Sequence, residues 1–152
     1  FSGVKRRMDI IYDNQGITVI DDFAHHPSAV KATLQALRER YSNRRIWAMF
    51  EPRSNTSTRR LLQNELTDAL ALADTVVIGA VNRPERYRPS QRLDPKDVIS
   101  KLKGKIKHAA HLPETDDIIS FYKQHRAPYD VVVIMSNGGF GGLHAKLIAA
   151  LQ

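Results

Sequence analysis

The chain has 152 residues, enough for one domain with a substantial core that needs neither disulfides nor metals. Cysteine is absent, which excludes a disulfide framework, a thiolate zinc site and a cysteine nucleophile. The formal charge of +7, from 23 Lys+Arg against 16 Asp+Glu, suits anionic partners such as nucleotides or polycarboxylates.

An ordinary solvated basic surface would account for that charge equally well. The positive residues are spread along the chain and are not interleaved with aromatics for base stacking, so nucleic acid is not an expected partner. The longest apolar runs, such as Val131 to Met135, are too short to span a bilayer, so no membrane partner is expected either. The start, Phe1-Ser2-Gly3-Val4-Lys5-Arg6-Arg7, lacks an apolar signal region and an initiating Met. The expectation is a cytoplasmic protein whose sequence here begins inside a longer polypeptide.

Met8 to Tyr12 and Ile17 to Ile20 are short apolar runs around Asp13-Asn14-Gln15-Gly16, and predict a β-hairpin. Pro27 is placed to start a helix, with Val30, Leu34, Leu37 and Tyr41 at helical spacing. Ile46 to Phe50 predicts a buried strand, and Arg59 to Leu72 a helix with Leu62, Leu66, Ala69 and Leu70 on one side. Thr75 to Ile78 predicts a strand, and Ala80 to Leu93 a long arginine-rich loop. Asp94-Pro95 opens a helix to Leu102, with Asp94 as its N-cap. Lys105 to Ala109 reads as a weaker strand, and Pro113 to Gln124 as a helix with an acidic first turn. Val131 to Met135 is the clearest strand, and a last helix follows from Leu143 to Leu151. Strands alternating with helices predict an α/β fold: a Rossmann-like, mostly parallel sheet of about six strands, helices on both faces, and an N-terminal antiparallel hairpin at one edge.

In such sheets ligands sit beyond the carboxyl ends of the strands. After the hairpin comes Asp21-Asp22-Phe23-Ala24-His25-His26-Pro27. The carboxylates and imidazoles could ligate a metal, although adjacent histidines point in different directions. They could face a nucleotide, with phosphate at the helix N-terminus. They could also merely cap a turn. After the Ile46 strand comes Glu51-Pro52-Arg53-Ser54-Asn55-Thr56, rich in groups that bind carboxylates or phosphates, or else an ordinary Ser/Thr helix cap. After the Val131 strand comes Ser136-Asn137-Gly138-Gly139-Phe140-Gly141-Gly142. Its glycines allow close approach of backbone to ligand, but it is not a P-loop. No nucleophile, general base or Walker motif is complete, so the residues alone predict a binding domain that supplies part of a site.

Phe1-x-Gly3-Val4-x-Arg6-Arg7-Met8 and Asp21-Asp22-Phe23-Ala24-His25-His26-Pro27 resemble the linker and third domain of the Mur ligases, which join amino acids or peptides to UDP-N-acetylmuramic acid using ATP. The second of these motifs is like that of the L-alanine-adding members. Glu51-Pro52-Arg53-Ser54-Asn55-Thr56 and Ser136 to His144 resemble instead the members of cell-wall recycling that add the tripeptide L-Ala-γ-D-Glu-meso-diaminopimelate. The likeness covers essentially the whole chain and implies residues 1–7 as an interdomain linker and residues 8–152 as the C-terminal, peptide-binding domain.

The resemblance also implies roles. Arg7, Asp22, His25 and His26 would face ATP, with Asp22 at the ribose. Arg53, Ser54, Asn55 and Thr56 would form one wall of a peptide pocket, and Ser136, Asn137, Gly138, Gly139 and Phe140 the other. Arg83, Arg86 and Arg88 are candidates to join them. Catalysis would run through an acyl phosphate of the muramoyl carboxylate, attacked by the peptide amine. The phosphate loop, the magnesium ligands and the site for UDP-N-acetylmuramate would belong to preceding domains, so this stretch alone would carry no catalytic residue and be inactive. Replacing Asp22 or Arg7 with alanine would weaken ATP use with little effect on folding. The C-terminal domain of an L-alanine-adding ligase and a stand-alone nucleotide- or anion-binding module are the alternatives.

Overall fold

The computed structural model describes residues 6–152. Phe1 to Lys5, and with them most of the expected linker, lie outside the described residues.

The elements in chain order are β1 (Asp9–Asn14), β2 (Ile17–Asp22), α1 (Pro27–Arg40), β3 (Ile46–Phe50), α2 (Gln63–Leu70), β4 (Thr75–Ile78), α3 (Pro95–Lys103), β5 (His108–His111), α4 (Thr115–His125), β6 (Val131–Met135) and α5 (Leu143–Leu151). The sheet runs β1-β2-β6-β3-β4-β5; β1 and β2 are antiparallel and every other pair is parallel. This is the predicted α/β architecture. The hairpin closes through Gln15 and Gly16, both at positive φ (53° and 82°), as a two-residue turn requires.

Every residue of β3, β4 and β6 is buried because the sheet is covered twice. Val30, Leu34 and Leu37 of α1 share one core with Leu66 and Leu70 of α2 and Val98 and Leu102 of α3. Ile118 and Tyr122 of α4 and Leu143 and Leu147 of α5 build a second core on the other face, around Trp47 and Met49.

Two elements depart from the sequence pattern. The helix expected from Arg59 begins only at Gln63, and Leu61 is exposed. The reason is a competing partner: Arg60 N–H donates to Gln91 O, Leu93 N–H to Thr58 O, and Arg59 bridges to Arg92. Those backbone groups are spent on the long loop and cannot close helical turns. The fifth strand lies at His108–His111, three residues later than its predicted start at Lys105. Lys105 and Ile106 donate their N–H groups to Leu102 O, finishing α3 before the strand can begin.

The amino ends of the strands are pinned by charge. Asp130 is fully buried and accepts from Arg45 (Nε and Nη2, 3.0 Å each), from Trp47 Nε1 (3.0 Å) and from Ala127 N–H (2.8 Å). Arg44 donates to the carbonyls of Gly16 and Tyr129, tying the hairpin turn to the entry of β6.

At the β5 edge, His108 stacks on His125 at 4.6 Å between ring centroids. Burial, then His125, holds the His108 imidazole below its ordinary range, and burial does the same to His111. Both rings are therefore neutral in the fold where the unfolded chain, titrating at about 6.5, already takes protons. Their contribution to stability is present above that range and is lost as pH falls through the folded values. The urea midpoint is expected to drop between pH 7.5 and 5.5, and the His108→Gln/His111→Asn double variant should flatten that interval. An unchanged slope in the double variant would assign the pH dependence to other groups.

Candidate functional site

The sheet order places the carboxyl ends of β2, β6 and β3 side by side. The three loops singled out in the sequence, after Asp22, after Phe50 and after Met135, therefore form one continuous edge. Backbone bonds stitch it: Ser136 N–H to Asp22 O (3.2 Å) and Glu51 N–H to Met135 O (3.0 Å). The chain after β6 leaves toward the α4–α5 face and the chains after β2 and β3 toward the α1–α3 face. The edge opens where those directions diverge, which is the usual place for a ligand.

At the β2 end, Asp21 and Asp22 point to opposite faces, as consecutive strand residues must. Asp22 is buried toward α1; its Oδ1 accepts from Ala24 N–H (2.8 Å) and the Thr33 hydroxyl (3.2 Å), and its Oδ2 from Met8 N–H (2.8 Å). Asp21 faces α5, where it takes a bidentate fork from Arg6 (3.1 Å twice) and meets His144 Nε2 at 2.9 Å. Both carboxylates thus fasten the incoming chain to the strand end, and Met8 sits at φ 49° between them. The two aspartates and two histidines do not converge on one point. Among the described residues, no cluster of three or more His, Cys, Asp or Glu side chains could hold a metal ion.

Arg7, Asp22, Phe23, Ala24, His25 and Thr33 surround a cavity of about 390 Å³ between the incoming chain and α1. Its walls are mostly apolar, with one guanidinium at the rim. His25 is held there by Phe23 O (3.0 Å) and an edge contact to the Phe23 ring. His26 is placed differently. Its Nδ1 accepts from Ser28 N–H (3.1 Å), capping α1, and the residue lines a separate groove between α1 and α2.

The β3 and β6 loops build a second wall. Glu51 Oε1 accepts from the Ser136 hydroxyl and from Phe140 N–H (3.1 Å), so one carboxylate joins both loops. Arg53 is exposed and lies across Gly138, where an added Cβ would strike its Nε and Cδ. Glycine there is what lets the guanidinium lie down on the loop. Ser54 is buried and spends its hydroxyl on Ser57 (2.8 Å), shaping the turn rather than facing outward. Asn55 is exposed, Thr56 half-buried and Gly139 exposed. Asn137 Oδ1 is shielded from solvent and has no hydrogen-bond partner among the described residues. The Phe140 ring is buried against Gly79 at the end of β4, so only its backbone is available to a ligand.

Arg6, Asp21 and Glu51 were quoted in the sequence motifs without a role. Their signal was position: Arg6 and Asp21 adjoin Arg7 and Asp22, and Glu51 lies two residues before Arg53. The docking of the 80–93 loop had no local signal. It is held by Asn82 N–H to Pro52 O (2.9 Å) and by Arg86 Nη1 to Asn55 Oδ1 (3.0 Å).

Residues 6–138 match the family described as Mur ligase, glutamate ligase domain. The chain is 35% identical over 152 residues to the UDP-N-acetylmuramate:L-alanyl-γ-D-glutamyl-meso-2,6-diaminoheptandioate ligase of Escherichia coli K12, covering 99% of this chain and 31% of that protein. It is 33% identical over 148 residues to the UDP-N-acetylmuramate:L-alanine ligase of Lachnoclostridium phytofermentans, covering 97% of this chain and 31% of that one. The crystal structure of a murein peptide ligase from Psychrobacter arcticus superposes with a TM-score of 0.80 at 38% identity, over 97% of this chain and 30% of that one. The chain therefore spans about a third of the length of the proteins it matches. No helix among the described residues is long and apolar enough to cross a membrane.

Proposed function

The chain belongs to the Mur ligase family as a C-terminal domain, and from that membership we propose that it is the acceptor-binding part of an ATP-dependent ligase joining L-Ala-γ-D-Glu-meso-diaminopimelate to UDP-N-acetylmuramate in peptidoglycan recycling. The observation that carries this reading is the wall made by Arg53 lying on Gly138 at the junction of the β3 and β6 loops. A tripeptide acceptor brings several carboxylates and free amines. A guanidinium takes the carboxylates bidentately.

The cavity at the β2 end fits a nucleotide. Its apolar walls suit a base or ribose face, and Arg7 supplies the only cation among the residues that line it. Asp22 uses three of a carboxylate's roughly four acceptor positions on Met8, Ala24 and Thr33, leaving one for a ribose hydroxyl. When bound, ATP supplies the phosphoryl group that activates the muramoyl carboxylate. Arg7 holds a phosphate, Asp22 orients the ribose, and His25 closes the rim. His26 serves through the α1 terminus it caps. We assign residues 1–7 to the linker from a preceding domain and residues 8–152 to the acceptor domain. The magnesium ligands and the muramate site belong to preceding domains, and the reaction runs in the bacterial cytoplasm.

The full-length ligase, given UDP-N-acetylmuramate and ATP, should form product and ADP with the tripeptide and not with L-alanine. Product with L-alanine alone would replace this reading with that of an L-alanine ligase, the second reading that the Asp21–Pro27 motif and a 33% identical relative support.

A further inference from the structure

The loops after β3 and β4 face one another and carry Arg53, Arg59 and Arg60 on one side and Arg83, Arg86 and Arg88 on the other. None of these six forms an ion pair among the described residues, whereas Arg6, Arg38 and Arg45 each have one. The single carboxylate of the second loop, Glu85, is likewise unpaired. Six guanidinium groups outside any ion pair, against the two carboxylates Glu51 and Glu85, leave a net positive field at this edge.

Within this set Arg86 makes the most side-chain hydrogen bonds. Its Nε donates to Arg83 O (3.2 Å), Nη1 to Asn55 Oδ1 (3.0 Å) and Nη2 to Thr58 Oγ1 (3.3 Å). Its guanidinium also lies over the Tyr87 ring at 5.3 Å, with Arg59 over the same ring at 5.0 Å. Three of its five N–H donors are engaged, which leaves one on each terminal nitrogen. Each can donate a charge-assisted hydrogen bond to a carboxylate. The carbonyl anchoring Nε belongs to Arg83, which sits at φ 47° although it is not glycine. Strain of that kind persists only where the surrounding contacts impose it. The same short segment therefore fixes two guanidinium groups: Arg53 belongs to it and lies on Gly138, and Arg86 is bonded to its Asn55 and Thr58.

We propose that Arg86 is a second carboxylate-binding residue of the acceptor pocket, which with Arg53 selects an acceptor carrying two or more carboxylates over a monocarboxylate amino acid. This rests on the reading of the Arg53 wall as the acceptor site. The ligand class is a short peptide polyacid. Asn55 acts as a positioning residue, since its Oδ1 is spent on Arg86 rather than on the peptide.

The test uses the full-length ligase at saturating ATP and UDP-N-acetylmuramate, with wild type, Arg86→Ala and Arg53→Ala. The acceptors are the tripeptide and its mono-amides, with the carboxylates amidated one at a time. Arg86→Ala should raise the tripeptide KM by about ten- to a hundredfold, the range of a lost charge-assisted hydrogen bond. For one mono-amide the wild type should already show that higher KM, and Arg86→Ala should change it less than threefold. Where the alanine variant melts below the assay temperature, Arg86→Gln takes its place. An equal rise for every acceptor would make Arg86 a structural residue, and no rise for any would remove it from the pocket; either result overturns the proposal. If Arg53→Ala raises the tripeptide KM while Arg86→Ala does not, the acceptor site stands and this inference fails. If neither does, the acceptor reading fails with it.

Discussion

Replacing Asp130 with alanine is expected to destabilise the chain by about 3 kcal/mol. The carboxylate is fully buried and satisfies four donors from three places: the Arg45 guanidinium twice, the Trp47 indole and the Ala127 amide. Breaking a sealed buried pair costs about 3–5 kcal/mol, because it strands a charge without water. Here the Arg45 side chain is 38% exposed and regains water, which places the loss at the lower end. Trp47 cannot be rescued that way: it is 0% exposed, and an orphaned buried N–H costs about 1–3 kcal/mol by itself. Tyr122 reports on the same corner. Burial, then the nearby Asp130 charge, pushes its phenol up to about 12. Urea unfolding of the chain measures the effect, and a loss under about 1 kcal/mol would mean the donors find other acceptors. Because Asp130 lies at the amino ends of the strands, its replacement should leave the loops at the carboxyl edge intact at temperatures where the variant is folded.

Asp22→Ala is the second large effect, and it corrects an expectation. The family resemblance makes Asp22 a nucleotide residue whose removal spares the fold. The side chain, however, is 4% exposed and accepts from Met8 N–H, Ala24 N–H and the Thr33 hydroxyl. Removing it unfastens the entering chain from β2 and leaves two donors buried near α1. A loss of about 2–3 kcal/mol is expected. The change should also release Arg7 from its place beside the cavity, so ATP use falls for two reasons. Asp22→Asn separates them, since Oδ1 and its two partners survive while the charge is removed. Equal stability of Asp22→Ala and wild type in urea would show that the resemblance, not the hydrogen-bond count, gave the better guide.

These two aspartates mark what was legible in advance. β3, β4 and β6 were readable to the residue, because strands covered on both faces are continuous apolar runs with no competing pattern. The start of α2 was not, since its fate is set by Gln91 and Leu93, some thirty residues away. β5 was displaced for a related reason: α3 takes Lys105 and Ile106 into its closing turn. The candidate site divides the same way. Loops at adjacent strand ends could be named from sequence, and the sheet order brings them together. Which side chains face outward could not be named, because Ser54, His26 and Phe140 are each claimed by a local or core partner. The docking of Arg86 on Asn55 is a long-range pairing between two irregular segments and leaves no periodic trace.

On the proposed reading two parts of one sheet edge divide the labour, with Arg7 serving the nucleotide and Arg53 the peptide. Michaelis constants of the full-length ligase for both substrates, measured on Arg7→Ala and Arg53→Ala, test it most directly. A crossed result is expected: Arg53→Ala raises the tripeptide KM at least tenfold, about the worth of one charged hydrogen bond, and leaves that for ATP within a factor of two, and Arg7→Ala does the reverse. A parallel rise in both constants for both variants, or an unchanged tripeptide KM in Arg53→Ala, would contradict it.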